Sequence, residues 1–380
     1  MYKKLYALSL SSLFFSASYN ILLPELPKYL INIGGKEYLG FIILLFTIAA
    51  LVSRPFSGFL SDQKGGKFVI AVGVLVSLGI NLLYPIFLNV FGFLLLRFVH
   101  GFSTGFAPTG YTYFAKNNFS DKGKAISIQT AFYASGMAIG PLFSSYITEN
   151  FGIEYLFFVG SALALLSIIL VLPLKEIRNR EKQPISTQGK SKSLIDFKIW
   201  KPAVCMFWVY LSFGVLLIAS PLIAEKIGFE NKGAFFFFFT ISTIVSRLIL
   251  SNQFHQSKLP KLLQIGSLLL ILSSLFFGIW QEKIGFISAS LLYGFAMGIF
   301  VPALNLWTIN SNSGEDGKAI STLYIFMELG IGIGAFLIGA LIVKYESAFK
   351  IVNISYLILS VFILYFLLKM PKKTQNSNKV

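Results

Sequence analysis

Five ionisable side chains stand inside or at the edge of long apolar stretches: Glu25, Arg54, Arg97, His100 and Glu328. A charge in such a setting is costly, so these residues point to a partner, a proton or a ligand rather than to solubility. Glu328 lies eleven residues beyond Gly317, about 16 Å up a helix at 1.5 Å per residue, and so near the middle of a bilayer. It is the only deeply buried acid that the sequence alone places. An ionised carboxylate there must be protonated part of the time or paired with Arg97, Arg54 or a substrate ammonium.

Arg97 and His100 are three residues apart and share a helical face. A guanidinium keeps its proton, so Arg97 can hold an anion or stabilise a neighbouring carboxylate, while His100 is either a proton handler or a hydrogen-bonded interior histidine. Arg54 lies eight residues before Asp62, about 12 Å along a helix, where it can snorkel to the surface or line a cavity. Glu25, in Pro24-Glu25-Leu26-Pro27, is expected near a helix end and more exposed. Asn20, Gln129, Tyr133, Asn305 and Trp307 are further candidates for a cavity lining. The single cysteine, Cys205, excludes an intramolecular disulfide and a Cys-based metal site, and is expected to fill space.

The elements that must position these groups are membrane helices. The chain of 380 residues is 55% hydrophobic, has a mean hydropathy of +0.73 and carries forty Phe, which excludes an ordinary soluble domain. Apolar runs long enough to cross a bilayer occur near 6–30, 38–60, 68–88, 91–114, 124–148 and 154–173, then 202–224, 233–252, 261–281, 284–307, 317–342 and 349–368. None alternates as a barrel strand does, so the expectation is an all-α polytopic protein of twelve transmembrane helices. The first run is too long for a signal-peptide core and is expected to stay in the mature chain.

Residues 174–201 are polar and hold eight of the thirty-two Lys and Arg. They divide the chain into an N-terminal six-helix bundle (1–173), a linker (174–201), a C-terminal six-helix bundle (202–370) and a basic tail (371–380). The +16 net charge sits in short loops, where Lys and Arg set topology, so both termini and the linker are expected in the cytoplasm and nucleic acid is not an expected partner.

The halves repeat each other. Val52-Ser53-Arg54 recurs as Val245-Ser246-Arg247, Gly101, Phe102 and Gly105 as Gly294, Phe295 and Gly298, and Gly123-Lys-Ala-Ile-Ser127 as Gly317-Lys-Ala-Ile-Ser321, with Gly136 and Gly140 matching Gly330 and Gly334. All offsets are 193 or 194 residues. A parallel duplication of this kind implies a pseudo-twofold axis along the membrane normal and a cavity between the halves.

Between the second and third runs stands Gly58-Phe-Leu60-Ser61-Asp62-Gln-Lys-Gly65-Gly-Lys67. It resembles the G-x-L-[AS]-D-[RK]-x-G-R-[RK] loop of the major facilitator superfamily, with Gln63 and Gly66 in place of two basic residues. Gly58 and Gly65 permit close approach and a tight turn, and Asp62 is placed to accept backbone N–H bonds at a helix start. The resemblance implies that Asp62, with Gly58, Gly65 and Lys67, forms a cytoplasmic gating loop that latches the halves. Arg97 to Gly101 is similar to the family's R-x-x-x-G motif. Gly136, Gly140 and Pro141 are similar to its antiporter motif, with Ser127, Ser144 and Ser145 replacing glycines.

The resemblance extends over nearly the whole chain, toward the twelve-helix drug/proton antiporter-like branch. It implies a monomeric, multi-pass carrier of the cytoplasmic (inner) membrane, with protons, lipid and a small molecule as partners and no cofactor. Proton-coupled efflux of amphipathic or drug-like molecules is the leading expectation. Uptake of a nutrient, a membrane sensor and a lipid scramblase are the alternatives. No Walker A, H-E-x-x-H or G-x-S-x-G sequence is present, so neither ATP-driven transport nor an enzyme is expected.

Overall fold

The computed structural model describes residues 2–176, 196–250, 253, 256–280, 282–311 and 316–344, together with 354, 358 and 361. The twelfth apolar run, most of the linker and the tail lie outside the described residues. Among the described residues, twelve α-helices follow in order: α1 (Tyr2–Asn20), α2 (Leu26–Asn32), α3 (Phe41–Lys64), α4 (Gly66–Leu83), α5 (Val90–Asn118), α6 (Lys122–Phe151), α7 (Ile153–Val171), α8 (Trp200–Lys226), α9 (Ala234–Leu250), α10 (Leu259–Ile279), α11 (Lys283–Ser311) and α12 (Asp316–Lys344). Eight of the described spans are long and apolar enough to cross a membrane. The protein is an all-helical, multi-pass membrane protein.

Helices α1 and α2 make one crossing interrupted at Ile21–Glu25. Pro24 has no N–H to continue the ladder, and Leu23 N and Glu25 N donate instead to Asn20 O and Leu22 O, three residues back. The chain thereby turns Glu25 inward before the helix resumes.

Helices α1 and α3–α7 pack as one bundle and α8–α12 as a second. The sequence repeat reappears as repeated contacts. A Cβ on Gly105 would strike Ser53 Oγ and Ala50 O, and a Cβ on Gly298 would strike Ser246 Oγ and Thr243 O. Both serines are fixed by bonds to those same carbonyls, at 2.9 and 3.0 Å. Gly136 faces Leu13 O as Gly330 faces Phe207 O, and Gly140 faces Ala17 O as Gly334 faces Leu211 O. Glycine here lets backbones touch, the usual solution where lipid supplies no hydrophobic drive between helices.

We call the ends of the bundle the linker end, near Lys64, Asn118, Leu174 and Trp200, and the distal end, near Gly40, Leu83, Phe151 and Lys226. Helices α3 and α12 cross antiparallel between the halves. Toward the distal end Gly40 abuts the Phe336 backbone, Gly339 abuts Gly40, and Phe41 meets the Phe336 ring edge-on at 5.1 Å.

Candidate functional site

Arg54, thirteen residues along α3 from the distal end, and Glu328, twelve along α12 from the linker end, meet near the middle of the bundle. Arg54 Nη2 donates to Glu328 Oε1 in a charge-assisted bond that joins the two halves. The Glu328 side chain is 10% exposed and that of Arg54 32%. Of the cations available by sequence, Arg54 is therefore the partner of Glu328, and Arg97 is not.

Two tyrosines from the first half border this pair. Tyr19 of α1 and Tyr133 of α6 share a hydroxyl–hydroxyl bond of 2.5 Å, and both lie within electrostatic reach of Glu328, as does Tyr210 of α8. The Tyr19 ring lies 6.0 Å from Phe46. The centre thus combines one ion pair with aromatic surface, an arrangement suited to a molecule with a charged group on an apolar body.

A second ionic link closes the distal end. Lys232, in the loop before α9, donates to Glu25 Oε2 and Oε1 at 2.8 and 3.1 Å. Ser145 Oγ donates to Glu25 Oε1 at 2.9 Å and accepts from Lys232 N at 3.0 Å. Asn231 Nδ2 adds a bond to Leu142 O at 2.7 Å, and Gly233 presses on Pro141. At the rim Lys28 pairs with Glu225 at 2.6 Å. Except for the Ser145–Glu25 bond, which lies within the first half, these links cross between the halves, and all lie distal to Arg54–Glu328.

Two expectations are corrected here. Glu25 is 1% exposed, more buried than Glu328 at 8%, because the turn at 21–25 points it inward and the other half covers it with Lys232. Glu328 is therefore not the only deeply buried acid. Ser145, which stands where the family's antiporter motif has a glycine, is a polar member of the seal.

A third correction concerns the loop between α3 and α4. The carboxylate at the start of α4 belongs to Glu176, which accepts from Gly66 N at 2.6 Å and Lys67 N at 3.1 Å. Asp62 instead lies exposed on the last turn of α3. Gly65, at φ +89°, makes the turn between the helices as expected. Lys67 Nζ donates to Leu172 O, which fastens the end of α7. A Cβ on Gly58 would meet nothing within 4 Å.

The remaining candidates are dispersed. Arg97 and His100 are buried in the first half. His100 Nε2 and Nδ1 face the Ser77 and Tyr84 hydroxyls at 3.1 and 3.2 Å, an arrangement that a neutral imidazole satisfies with one donor and one acceptor. Asn20 Nδ2 donates to Ser16 O at 2.8 Å and Asn305 Nδ2 to Val301 O at 2.9 Å, each within its own helix. Gln129 is buried at the α1–α6 crossing, where its backbone carbonyl accepts from Ser12 Oγ at 3.2 Å. Trp307 is half-buried against the hydrophobic core. Cys205 is buried, as a space-filling residue would be.

Two helical halves joined through a central ion pair and a distal seal define a polytopic membrane transporter. The Major Facilitator Superfamily model matches residues 8–313, and a PUCC protein model matches 262–379. The chain belongs to the Major Facilitator Superfamily. It is 27% identical over 325 residues to the uncharacterized MFS-type transporter YuxJ of Bacillus subtilis, covering 78% of this chain and 80% of that protein. It is 25% identical over 366 residues to Multidrug resistance protein 2 of the same organism, covering 89% of each. The fold is shared with the nucleoside transporter NupG (TM-score 0.74, 14% identity, 97% of this chain and 98% of that chain). It is shared also with the human organic anion transporter MFSD10 (TM-score 0.67, 15% identity, 96% and 99%).

Proposed function

We propose that this transporter exports small amphipathic or drug-like molecules from the cytoplasm in exchange for protons, as a monomer in the cytoplasmic membrane with both termini and the linker inside. The observation that carries this reading is the Arg54–Glu328 bond at the meeting point of the halves. A proton on Glu328 removes the charge that holds Arg54, and a cationic substrate group competes for the same carboxylate. Proton and substrate then occupy the site in alternation, which is the requirement for exchange.

The distal links among Glu25, Lys232 and Ser145 fit the closed side of an alternating-access cycle. With the linker end cytoplasmic, a transporter closed at the distal end is in the state that loads a molecule for export. Similarity to Multidrug resistance protein 2 supports the drug-like substrate class. Residues 1–173 and 202–370 are the moving bodies in this reading, and 174–201 tethers them.

The test is Glu328→Gln in proteoliposomes. The variant keeps the shape and hydrogen bonding of the side chain but cannot titrate. It should still bind and exchange substrate while losing accumulation driven by an imposed pH gradient. Gradient-driven flux at the wild-type rate would remove Glu328 from coupling, and flux measured in inverted vesicles fixes the direction.

A further inference from the structure

Arg97 carries a charge that its surroundings leave unbalanced. It is 1% exposed. Its Nε donates to Ile42 O at 3.1 Å, while Nη1 and Nη2 are buried with no acceptor among the described residues. The Phe46 ring covers one face of the guanidinium, 4.5 Å from its carbon. A cation this far from water ordinarily has a carboxylate beside it.

The first half has none to offer. Its six acids are Glu25, Glu37, Asp62, Asp121, Glu149 and Glu154. Glu25 is committed to Lys232, and the other five stand at helix ends or in connections. The Tyr84 hydroxyl lies near the guanidinium and, while bonded to His100 Nδ1, can still accept one of its N–H groups, but it brings no charge to balance the cation. His100 in turn has both ring nitrogens occupied by hydroxyls. No carboxylate therefore answers the two N–H₂ groups of this planar fork, the geometry that receives a carboxylate or another small anion.

Phe46 connects this place to the central site. Its ring lies over Arg97 on one side and 6.0 Å from Tyr19 on the other, and it is only half-buried. Phe46 is thus shared between the Arg97 guanidinium and Tyr19, whose hydroxyl bonds that of Tyr133. We propose that Arg97 is an anion subsite, in which Nη1 and Nη2 take a carboxylate borne by the substrate or a free inorganic anion and Phe46 is the movable cover. This does not rest on proton exchange at Glu328, and it adds an acidic group to the chemistry that a transported molecule can carry.

The experiment uses the full-length protein in detergent. Thermal unfolding is followed in sodium chloride, sodium bromide and sodium benzoate, each against the sodium salt of a bulky zwitterionic sulfonate buffer at equal ionic strength. A bound anion raises the unfolding temperature in a concentration-dependent, saturable way. A rise with halide identifies a free inorganic anion, and a rise with benzoate alone identifies a carboxylate of the substrate. Arg97→Gln should abolish the rise. Phe46→Ala keeps the charge and removes its cover, so it should shift the half-saturating anion concentration severalfold. The proposal is overturned if neither halide nor benzoate raises the unfolding temperature of the wild type or Phe46→Ala, or if Arg97→Gln responds as the wild type does. Should Arg97→Gln fail to fold, a Phe46→Ala titration identical to the wild type's overturns it equally.

Discussion

Lys232 Nζ lies 2.8 Å from Glu25 Oε2, and the two side chains, 6% and 2% exposed, belong to opposite halves of the transporter. Ser145 binds both residues. In the alternating-access cycle proposed above, the link would exist only while the distal end is closed, so its strength would weight one conformation over the other.

Removing one partner of a buried pair leaves an uncompensated charge, at a cost of about 3–5 kcal/mol. Lys232→Met should therefore disfavour the distally closed form. Thr47 faces Gly332 across the seam, just distal to Arg54. In a Cys205→Ala background, a Thr47→Cys reporter should react with an impermeant thiol reagent from the distal side on the order of a hundredfold faster when Lys232→Met is present. Equal labelling rates would show that the seam is held by something else.

Glu176 neutralises the start of α4 with two backbone bonds. Glu176→Gln removes the charge and one of the two acceptors, which should lower stability by about 1 kcal/mol, as loss of a helix N-terminal acceptor does. Thermal unfolding in detergent checks it. An unchanged midpoint would mean that water replaces the carboxylate at no cost.

Asp62, exposed on α3, has a different expected phenotype. If it latches the halves when the linker end closes, Asp62→Asn slows turnover while abundance and unfolding temperature stay at wild-type values. Transport kinetics identical to wild type would end the case for a latch.

Topology is tested at Ser186, in the linker. Ser186→Cys with Cys205→Ala should resist impermeant thiol reagents applied to intact cells and react after the cells are opened. Ready labelling from outside would invert the orientation inferred from Lys and Arg.

Much of the architecture was legible because membrane helices announce themselves one at a time. Apolar length marks each span, and the glycines at 101, 105, 136 and 140 recur at 294, 298, 330 and 334 because each pair solves the same backbone contact. Arg54 and Glu328 were also legible, since charges within apolar runs are conspicuous. What the sequence left open was which cation Glu328 chooses, a question of how α3 and α12 cross.

The distal seal was hidden for a different reason. Lys232 stands in a loop, where a lysine looks like any other topological charge, and only folding of the Asn231–Gly233 loop onto α6 buries it. Glu176 was likewise submerged in a polar linker. Its role depends on the end of α7 lying beside the start of α4, and nothing local in the sequence reports that.

Arg54, Gly58 and Asp62 succeed one another at four-residue intervals along α3, and the first of them binds the other half. One turn further toward the linker end, Gly58 looks into open space. A methyl group there costs this conformer nothing, whereas a conformer with the linker end closed would have to accommodate it against the facing helix. In the alternating-access cycle proposed above, the size of residue 58 would act as a ballast on the ratio of two populations without touching Glu328. Each 1.4 kcal/mol of crowding in the unseen conformer multiplies that ratio by about ten. A series from glycine through alanine to valine would measure, by its effect on occupancy alone, how closely the helices approach in the state not pictured.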